Sequence, residues 1–472
     1  MTRASNSAFG AGTERGRQLG LPAMSENTSA RNVAHGRSRD GSLVASGFFR
    51  NVGLYVYVFY VIYTPTFSAS FFLSKFFVLA LLAVAVVLHS ALSNFRQLRL
   101  LSYKPLVRLL ITMFMLSLFI AFVRMATTPE VADFADLRIV QNNVLILMAI
   151  HAAFILHLFK SRGFTAEASL AVLYKLAAFQ GVWALLSFVF PVLKEISNSL
   201  YEIAAGEREF VVAVRVYGFM GEYTFVTPIY HGMLAAIAIY FALNYRFRGV
   251  RYVPFILVAI LLNGRTGIAV FAAMVALILL RQLLRGRKAI TALGLVSVLA
   301  GVLWLAWFLV SQLSPGTARF LQTFVDDTNA LLSDGSQQGN YAILLNEIFT
   351  VPQGFALLWG TGGDVYESSG GFRTDVGITN DLFMGGLVFV VIGYGTLAYF
   401  MLKNSRPDLV LFASLLVGFA IANLKGQIFV GTPVLFLFVF IVLLHQLVAS
   451  DGMVPKYAPS LGQRVSTSSR IR

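Results

Sequence analysis

The stretch "LLNGRTGIAVF", Leu261–Phe271, sets Arg265 between two glycines inside an otherwise apolar run. A charge at membrane depth is costly, so an intramembrane ionisable residue is by default a mark of function. That reading requires the chain to lie in a membrane, and the composition answers the question. Of 472 residues, 57% are hydrophobic and only 12% charged, and the mean hydropathy is +0.74. No ordinary soluble domain of this length has such a balance. The 42 Phe and 18 Tyr suit lipid-facing and interfacial positions. The chain has no cysteine, which removes disulfides, thiolate metal sites and cysteine nucleophiles together. The net charge of +15 does not point to nucleic acid, because the basic residues are dispersed in short clusters between apolar segments.

Working outward from Arg265, the runs Tyr252–Leu262 and Thr266–Leu284 flank it. Further apolar runs occupy Phe48–Tyr63, Phe71–Leu92, Leu106–Val123, Val144–Phe159, Leu170–Val192, Phe225–Leu243, Ile290–Val310, Leu382–Leu402, Leu409–Leu424 and Val434–Ala449. Most approach the ~20 residues that a helix needs to cross ~30 Å of hydrocarbon. The expected fold is therefore all-α, a polytopic membrane protein of about 12 transmembrane helices. Residues 1–46 read as a disordered cytoplasmic tail, 47–450 as the transmembrane domain and 451–472 as a second cytoplasmic tail.

Alternate connections carry the positive charge. Arg96, Arg99, Lys104 and Arg108, then Lys160 and Arg162, Arg246, Arg248 and Arg251, Arg281, Arg285, Arg287 and Lys288, and Lys403 and Arg406 form one set. The opposite connections are acidic, from Glu130, Asp133 and Asp136 to Asp364, Glu367, Asp375 and Asp381. Basic loops stay in the cytoplasm, so both termini are expected there. Two outward connections, about 193–224 and 311–381, exceed the ~15 residues of most structured loops. The second spaces Phe320, Leu321 and Phe324, then Ile343, Leu344, Ile348 and Phe349, as short surface helices would. It ends in "WGTGGDVYESSGGFRTDVGITND", Trp359–Asp381, a loop suited to close backbone approach to a ligand.

Three constellations carry chemistry. The run Tyr252–Leu262 would rise only ~16 Å as a helix, too short to cross, so Arg265 falls below the outer surface and N-G-R-T-G reads as a break between two helices, tolerated where it lines a cavity. The alternative is an arginine snorkelling from a helix end. The second is "RVYGFMGEY", Arg215–Tyr223, just ahead of the run that contains His231. A guanidinium binds phosphate oxygens in a planar fork, and a carboxylate such as Glu222 can take a proton from a sugar hydroxyl. A solvated Arg–Glu pair would look the same in sequence, and His231 alone reads equally as a packed or capping residue. The third is "FRTDVGITND", with Arg373, Asp375, Asn380 and Asp381; Asn380 or Asp381 is also a natural N-cap for a span starting at Leu382. His151, near mid-span, reads as a helix-to-helix contact. No Walker A loop, no HExxH and no carboxylate in the first outer loop, "TPTFSAS", are present, which disfavours an ATPase, a zinc protease and a metal-dependent lipid-linked glycosyltransferase.

The order R-x-x-G-x-x-x-E (Arg215, Gly218, Glu222), G-R-T-G, G-T-G (Gly360–Gly362) and T-D-x-G-x-x-N (Asp375 to Asn380) resembles the O-antigen polymerase and ligase family of bacterial polysaccharide assembly, over roughly 193–402. Two departures stand out. Glu222-Tyr223 replaces the family's frequent Glu-Pro or Pro-Asn pair, and the second long outer loop lacks the histidine of the ligase branch, which favours polymerase over ligase. The resemblance implies a glycosyltransferase needing no metal or other cofactor, at the outer face of a bacterial inner membrane. Its substrate would be oligosaccharide carried on undecaprenyl pyrophosphate, and its partners membrane lipid, a flippase and a chain-length regulator, with no nucleic acid. On this reading Arg215 and Arg265 stabilise the pyrophosphate leaving group and Glu222 or Asp375 orients or deprotonates the attacking hydroxyl. Tyr217, His231, Arg319, Arg373 and Asn380 hold substrate. A transporter or lipid-linked glycan flippase is the rival from another class.

Overall fold

The computed structural model describes residues 40–65, 75–127, 143–198, 216, 218–219, 225–245, 247–284, 350–363, 365, 376–404, 409–426, 429 and 431–450, with single helical positions between 290 and 329. The chain divides into Met1–Asn51, of which only the start of a helix is described, and Val52–Arg472. Among the described residues all regular structure is helical. The helices are α1 Asp40–Tyr63, α2 Lys75–Ala91, α3 Lys104–Thr127, α4 Val144–Ser161, α5 Ala166–Val189, α6 Pro191–Asn198, α7 Val226–Tyr245, α8 Val253–Asn263, α9 Arg265–Leu284, α10 Phe355–Trp359, α11 Gly377–Phe389, α12 Gly395–Asn404, α13 Leu409–Lys425 and α14 Thr432–Ser450. The first helix thus begins at Asp40, ahead of the expected Phe48.

Six helices are long and apolar enough to cross a membrane, or seven if the bent pair Phe77–Ala91 and Arg96–Ser102 is one span. Asn51–Tyr63, Leu409–Lys425 and Pro433–Val448 are shorter apolar helices, α8 has only 11 residues, and the expected run Ile290–Val310 lies largely outside the described residues. The surface supports a membrane-embedded protein. On α3, Ile111, Phe114, Met115, Leu118, Phe122 and Met125 are all exposed, at the i, i+3, i+4, i+7 spacing of one helix face, while Leu109, Met113, Leu116, Ile120 and Val123 are buried on the other. A stripe of that size facing water would be an aggregation site; facing acyl chains it is at home.

The centre is α7. Every residue from Val226 to Tyr240 is buried, as expected of a helix apolar on all sides, and α8, α9, α13 and α14 pack around it. Backbones approach closely where α7 meets α9: a Cβ on Gly232 would overlap the Gly267 carbonyl oxygen, and one on Gly267 the carbonyl of Pro228. Polar side chains inside helices return to their own backbone, with Ser117 Oγ donating to Met113 O at 2.8 Å, Ser414 Oγ to Val410 O at 2.7 Å and Asn263 Nδ2 to Ala259 O at 2.8 Å, which gives these donors a partner without water. His151 is a helix-to-helix link, as its position in the sequence suggests. Its Nε2 lies 3.1 Å from Leu79 O and its Nδ1 2.7 Å from the Tyr57 hydroxyl. A carbonyl can only accept, so Nε2 carries the proton and Nδ1 accepts from Tyr57.

The chain breaks where the sequence suggests. Gly264 N donates to Ile260 O at 2.9 Å to close α8, Gly264 itself is extended, and Arg265 opens α9. A second break was not anticipated. The span expected at Leu382 starts at Gly377 and carries the non-helical residue Gly386, with φ of 62°, followed by a π-turn at Val390–Tyr394.

Candidate functional site

Three pieces of non-helical backbone are held at the breaks, and each touches one of the sequence constellations. The first is the segment at Val216, Gly218 and Phe219. Val216 N donates to Leu262 O at 3.1 Å, taking up a carbonyl left free at the end of α8. Gln180, buried in α5, pairs with Phe219 through both ends of its amide: Nε2 donates to Phe219 O at 2.6 Å, and Phe219 N donates to Oε1 at 2.8 Å. Gln180 stands nine residues before the end of α5, ~14 Å along the helix, so this irregular backbone runs at depth and its polar groups need internal partners. Val216 packs with Ala184 and Leu262. Phe219 stacks on Phe179 with centroids 6.0 Å apart and lies 4.1 Å from Trp183. The Trp183 indole donates to Ser197 Oγ of α6 at 2.8 Å, and burial on the same short helix lowers the pKa of the Lys194 ammonium.

The second piece is the α8–α9 break. Gly264 lies against Pro228, and Gly267 against Pro228 and Ile260, so the first residue of α9, Arg265, is placed by backbone packing on the start of α7. Its side chain lies outside the described residues. His231, one turn after Pro228, is fully buried; its Nε2 lies 2.9 Å from the Tyr63 hydroxyl, and the rings of Tyr63, Tyr230 and His231 stand within 6.0 Å of one another. Two buried polar atoms here, His231 Nδ1 and Asn263 Oδ1, have no hydrogen-bond partner among the described residues. Leaving such groups unmet is expensive; a guanidinium would satisfy the Asn263 oxygen, and a sugar hydroxyl, which both donates and accepts, either atom.

The third piece joins the G-T-G loop to the kink in α11. At Gly386 the helical ladder is interrupted. Thr361 N reaches Phe383 O at 2.6 Å, Thr361 Oγ1 the same oxygen at 3.0 Å, and Gly362 N reaches Met384 O at 3.0 Å. The loop thereby supplies the donors that the broken helix lacks. Gly360 and Gly362 both have positive φ, 79° and 77°, which side-chain-bearing residues adopt only at a cost. Thr127 Oγ1 donates to Thr361 O at 2.7 Å, anchoring the loop to α3.

Asn380 and Asp381 are not caps: α11 begins before them, with Val376 at the cap position. The Asn380 side-chain oxygen instead accepts from Val365 N at 3.3 Å and its amide donates to Val376 O at 3.2 Å, tying the loop to the helix. Asp381 is 1% exposed; the Tyr394 hydroxyl donates to its carboxylate, and Asn423 Nδ2 of α13 donates to the same hydroxyl. Residues 13 apart in an unbroken helix stand ~20 Å apart, beyond the reach of an aspartate and a tyrosine. The kink therefore folds the Gly377–Gly385 arm back toward α13.

These pieces are linked. A Cβ on Gly377 would overlap the Gly426 carbonyl and the Asn423 side chain, and one on Gly426 would overlap the ring of Phe225, the residue that precedes α7. Backbone positions within a few residues of Arg215, Glu222, Arg265 and Asp375 thus form one chain of contacts: Val216 to Leu262, Gly264 and Gly267 to Pro228, Phe225 to Gly426, and Gly426 to Gly377. Arg215, Tyr217, Glu222, Arg319, Arg373 and Asp375 themselves lie outside the described residues. Sequence reasoning missed Gln180, Tyr63, Tyr394 and Asn423; the legible signal was a lone amide in an apolar span, Gln180 in one and Asn423 in another. Searched against known proteins, the chain matches no family model, no curated protein and no solved structure.

Proposed function

We propose that the chain is a polymerase of bacterial polysaccharide, transferring a glycan from undecaprenyl pyrophosphate to a hydroxyl of another lipid-linked repeat unit at the outer face of the inner membrane. The support is the chain of contacts, through backbone and through the rings of Pro228 and Phe225, that links the flanks of Arg215, Glu222, Arg265 and Asp375. In the reaction the attacking hydroxyl oxygen bonds the anomeric carbon of the donor as the bond from that carbon to the pyrophosphate oxygen breaks. Glu222, or Asp375, takes the hydroxyl proton, and undecaprenyl pyrophosphate leaves with the bonding electron pair, its charge met by Arg215 and Arg265. Tyr217, His231, Arg319, Arg373 and Asn380 contact sugar or phosphate.

The proposal includes 12 crossings, with both termini cytoplasmic and residues 193–224 and 311–381 outside. Cysteines introduced singly at Ser336 and Ser368, on the natural cysteine-free background, should react with an impermeant thiol reagent in right-side-out membranes. Reaction only after permeabilisation would reverse the topology and with it the site.

The activity test is direct. Purified protein given the cognate undecaprenyl-pyrophosphate-linked unit should yield a ladder of longer lipid-linked glycans and release undecaprenyl pyrophosphate at each step. Excess EDTA should leave the ladder intact, since the arginines stand in for a divalent cation. Intact substrate without a ladder would sink the polymerase. Transfer to a lipid A-core acceptor alone would make the chain a ligase, and movement across vesicles without elongation a transporter.

A further inference from the structure

We infer that Gln180 is a positioning residue, whose side-chain amide sets where the R-x-x-G backbone lies against the end of α8. Nothing in the apolar run around Gln180 calls for an amide. A buried polar side chain in a membrane helix is kept when it bonds something, and among the described residues Gln180 bonds Phe219, at 2.6 and 2.8 Å. The reciprocal geometry fixes the orientation of the amide, because Phe219 N can only donate and Phe219 O can only accept. The pairing acts as a one-residue substitute for a strand ladder, supplied by a side chain in place of a neighbouring strand.

Gly218 completes the fit: a Cβ there would overlap Gln180 Oε1, so a side chain at this position would displace the amide from its pairing with Phe219. On the other side Val216 N is bonded to Leu262 O, three residues before Arg265. The backbone next to Arg215 and on both sides of Tyr217 is therefore gripped from α5 and from α8. Gln180 touches no reacting group in this scheme; it acts through the segment it holds. The consequence for turnover rests on the polymerase reading, whereas the placement of the segment does not.

The cysteine-free chain allows the two to be tested separately. Val216 and Leu262 pack together, so the Val216→Cys/Leu262→Cys pair should form a disulfide on mild oxidation. Adding Gln180→Leu should slow that cross-linking, and Gly218→Ala, which pushes from the opposite side, should slow it too. Under reducing conditions Gln180→Leu should lower kcat for elongation about ten-fold, the factor expected when one buried hydrogen-bonding pair is lost, with KM changed much less. Oxidising the triple variant should then restore elongation toward that of the cysteine pair alone, because the covalent bond replaces the grip. A role in folding only would give no such rescue. Unchanged cross-linking in both Gln180→Leu and Gly218→Ala would overturn the inference even if elongation is never observed. Failure of oxidation to restore an elongation lost in Gln180→Leu would overturn it as well.

Discussion

Alanine at Arg265 or Arg215 is expected to give a membrane-inserted protein of normal abundance that no longer elongates glycan. A preorganised donor aimed at developing charge contributes ~3–4 kcal/mol of transition-state stabilisation, a factor of ~10²–10³ in rate, and each arginine is assigned that role toward the departing pyrophosphate. The fold gives a reason to expect little effect on stability from Arg265→Ala. The position is held by Gly264 and Gly267 against Pro228, contacts of backbone and small residues that an alanine side chain does not alter. Alanine is also the best helix former for the start of α9. Lysine should rescue poorly, because a single ammonium lacks the planar fork of a guanidinium. The measurement pairs ladder formation with the thermal midpoint of detergent-purified protein. Full activity in either variant would remove that arginine from the mechanism, and a parallel loss of midpoint would reassign it to folding.

The largest stability effect is expected at the kink. Gly386 has φ of 62°, and a Cβ there would overlap the Leu358 carbonyl. Valine at this position carries the cost of a positive-φ, extended-ψ backbone that is essentially confined to glycine, ~1–3 kcal/mol, together with the overpacking cost of a crowded site, ~1–3 kcal/mol. Gly386→Val should therefore lower the thermal midpoint markedly and loosen the docking of the G-T-G loop. Gly395 provides the control nine residues on: nothing lies within 4 Å of its absent Cβ, and it sits in a helix. Gly395→Ala should be neutral or stabilising by up to ~1 kcal/mol. Equal behaviour of the two variants would show that the kink is not held by the Leu358 contact.

How much of this was written in the sequence depends on range. The break at Gly264 is legible because the run before it is too short to cross and a charge follows directly; both signals are local. The glycines of G-T-G were legible as a place of close backbone approach, but not what they approach, since Phe383 and Met384 lie more than 20 residues away and offer carbonyls only once α11 kinks. The kink was hidden for a related reason. "FMGGLVF" is apolar enough to read as the middle of a straight span, and a glycine pair in a membrane helix does not announce whether it serves packing or bending. For Asn380 and Asp381 the sequence leaves a cap and a binding role open, because caps are the commonest use of such residues before an apolar run. The helix instead starts at Gly377, where the absence of a side chain lets Gly426 approach, and that contact has no local sequence signature. His231 illustrates the same limit: its neighbour Tyr63 is 168 residues distant, so whether it faced solvent or the interior could not be read from its surroundings in the chain.

The close approach of α7 to the start of α9 has a consequence for how such a molecule can change over generations. At Gly232 and Gly267 the fit is main chain on main chain, and there is no side chain whose trimming or enlargement would tune it by degrees. Substitutions there are discarded rather than explored. Adaptation to a different ligand is thereby channelled away from this contact, to positions where a side chain and not the main chain makes the fit. Two descendants of this chain acting on different molecules would be expected to share the glycines of α7 and α9 unaltered and to differ where side chains line the ligand.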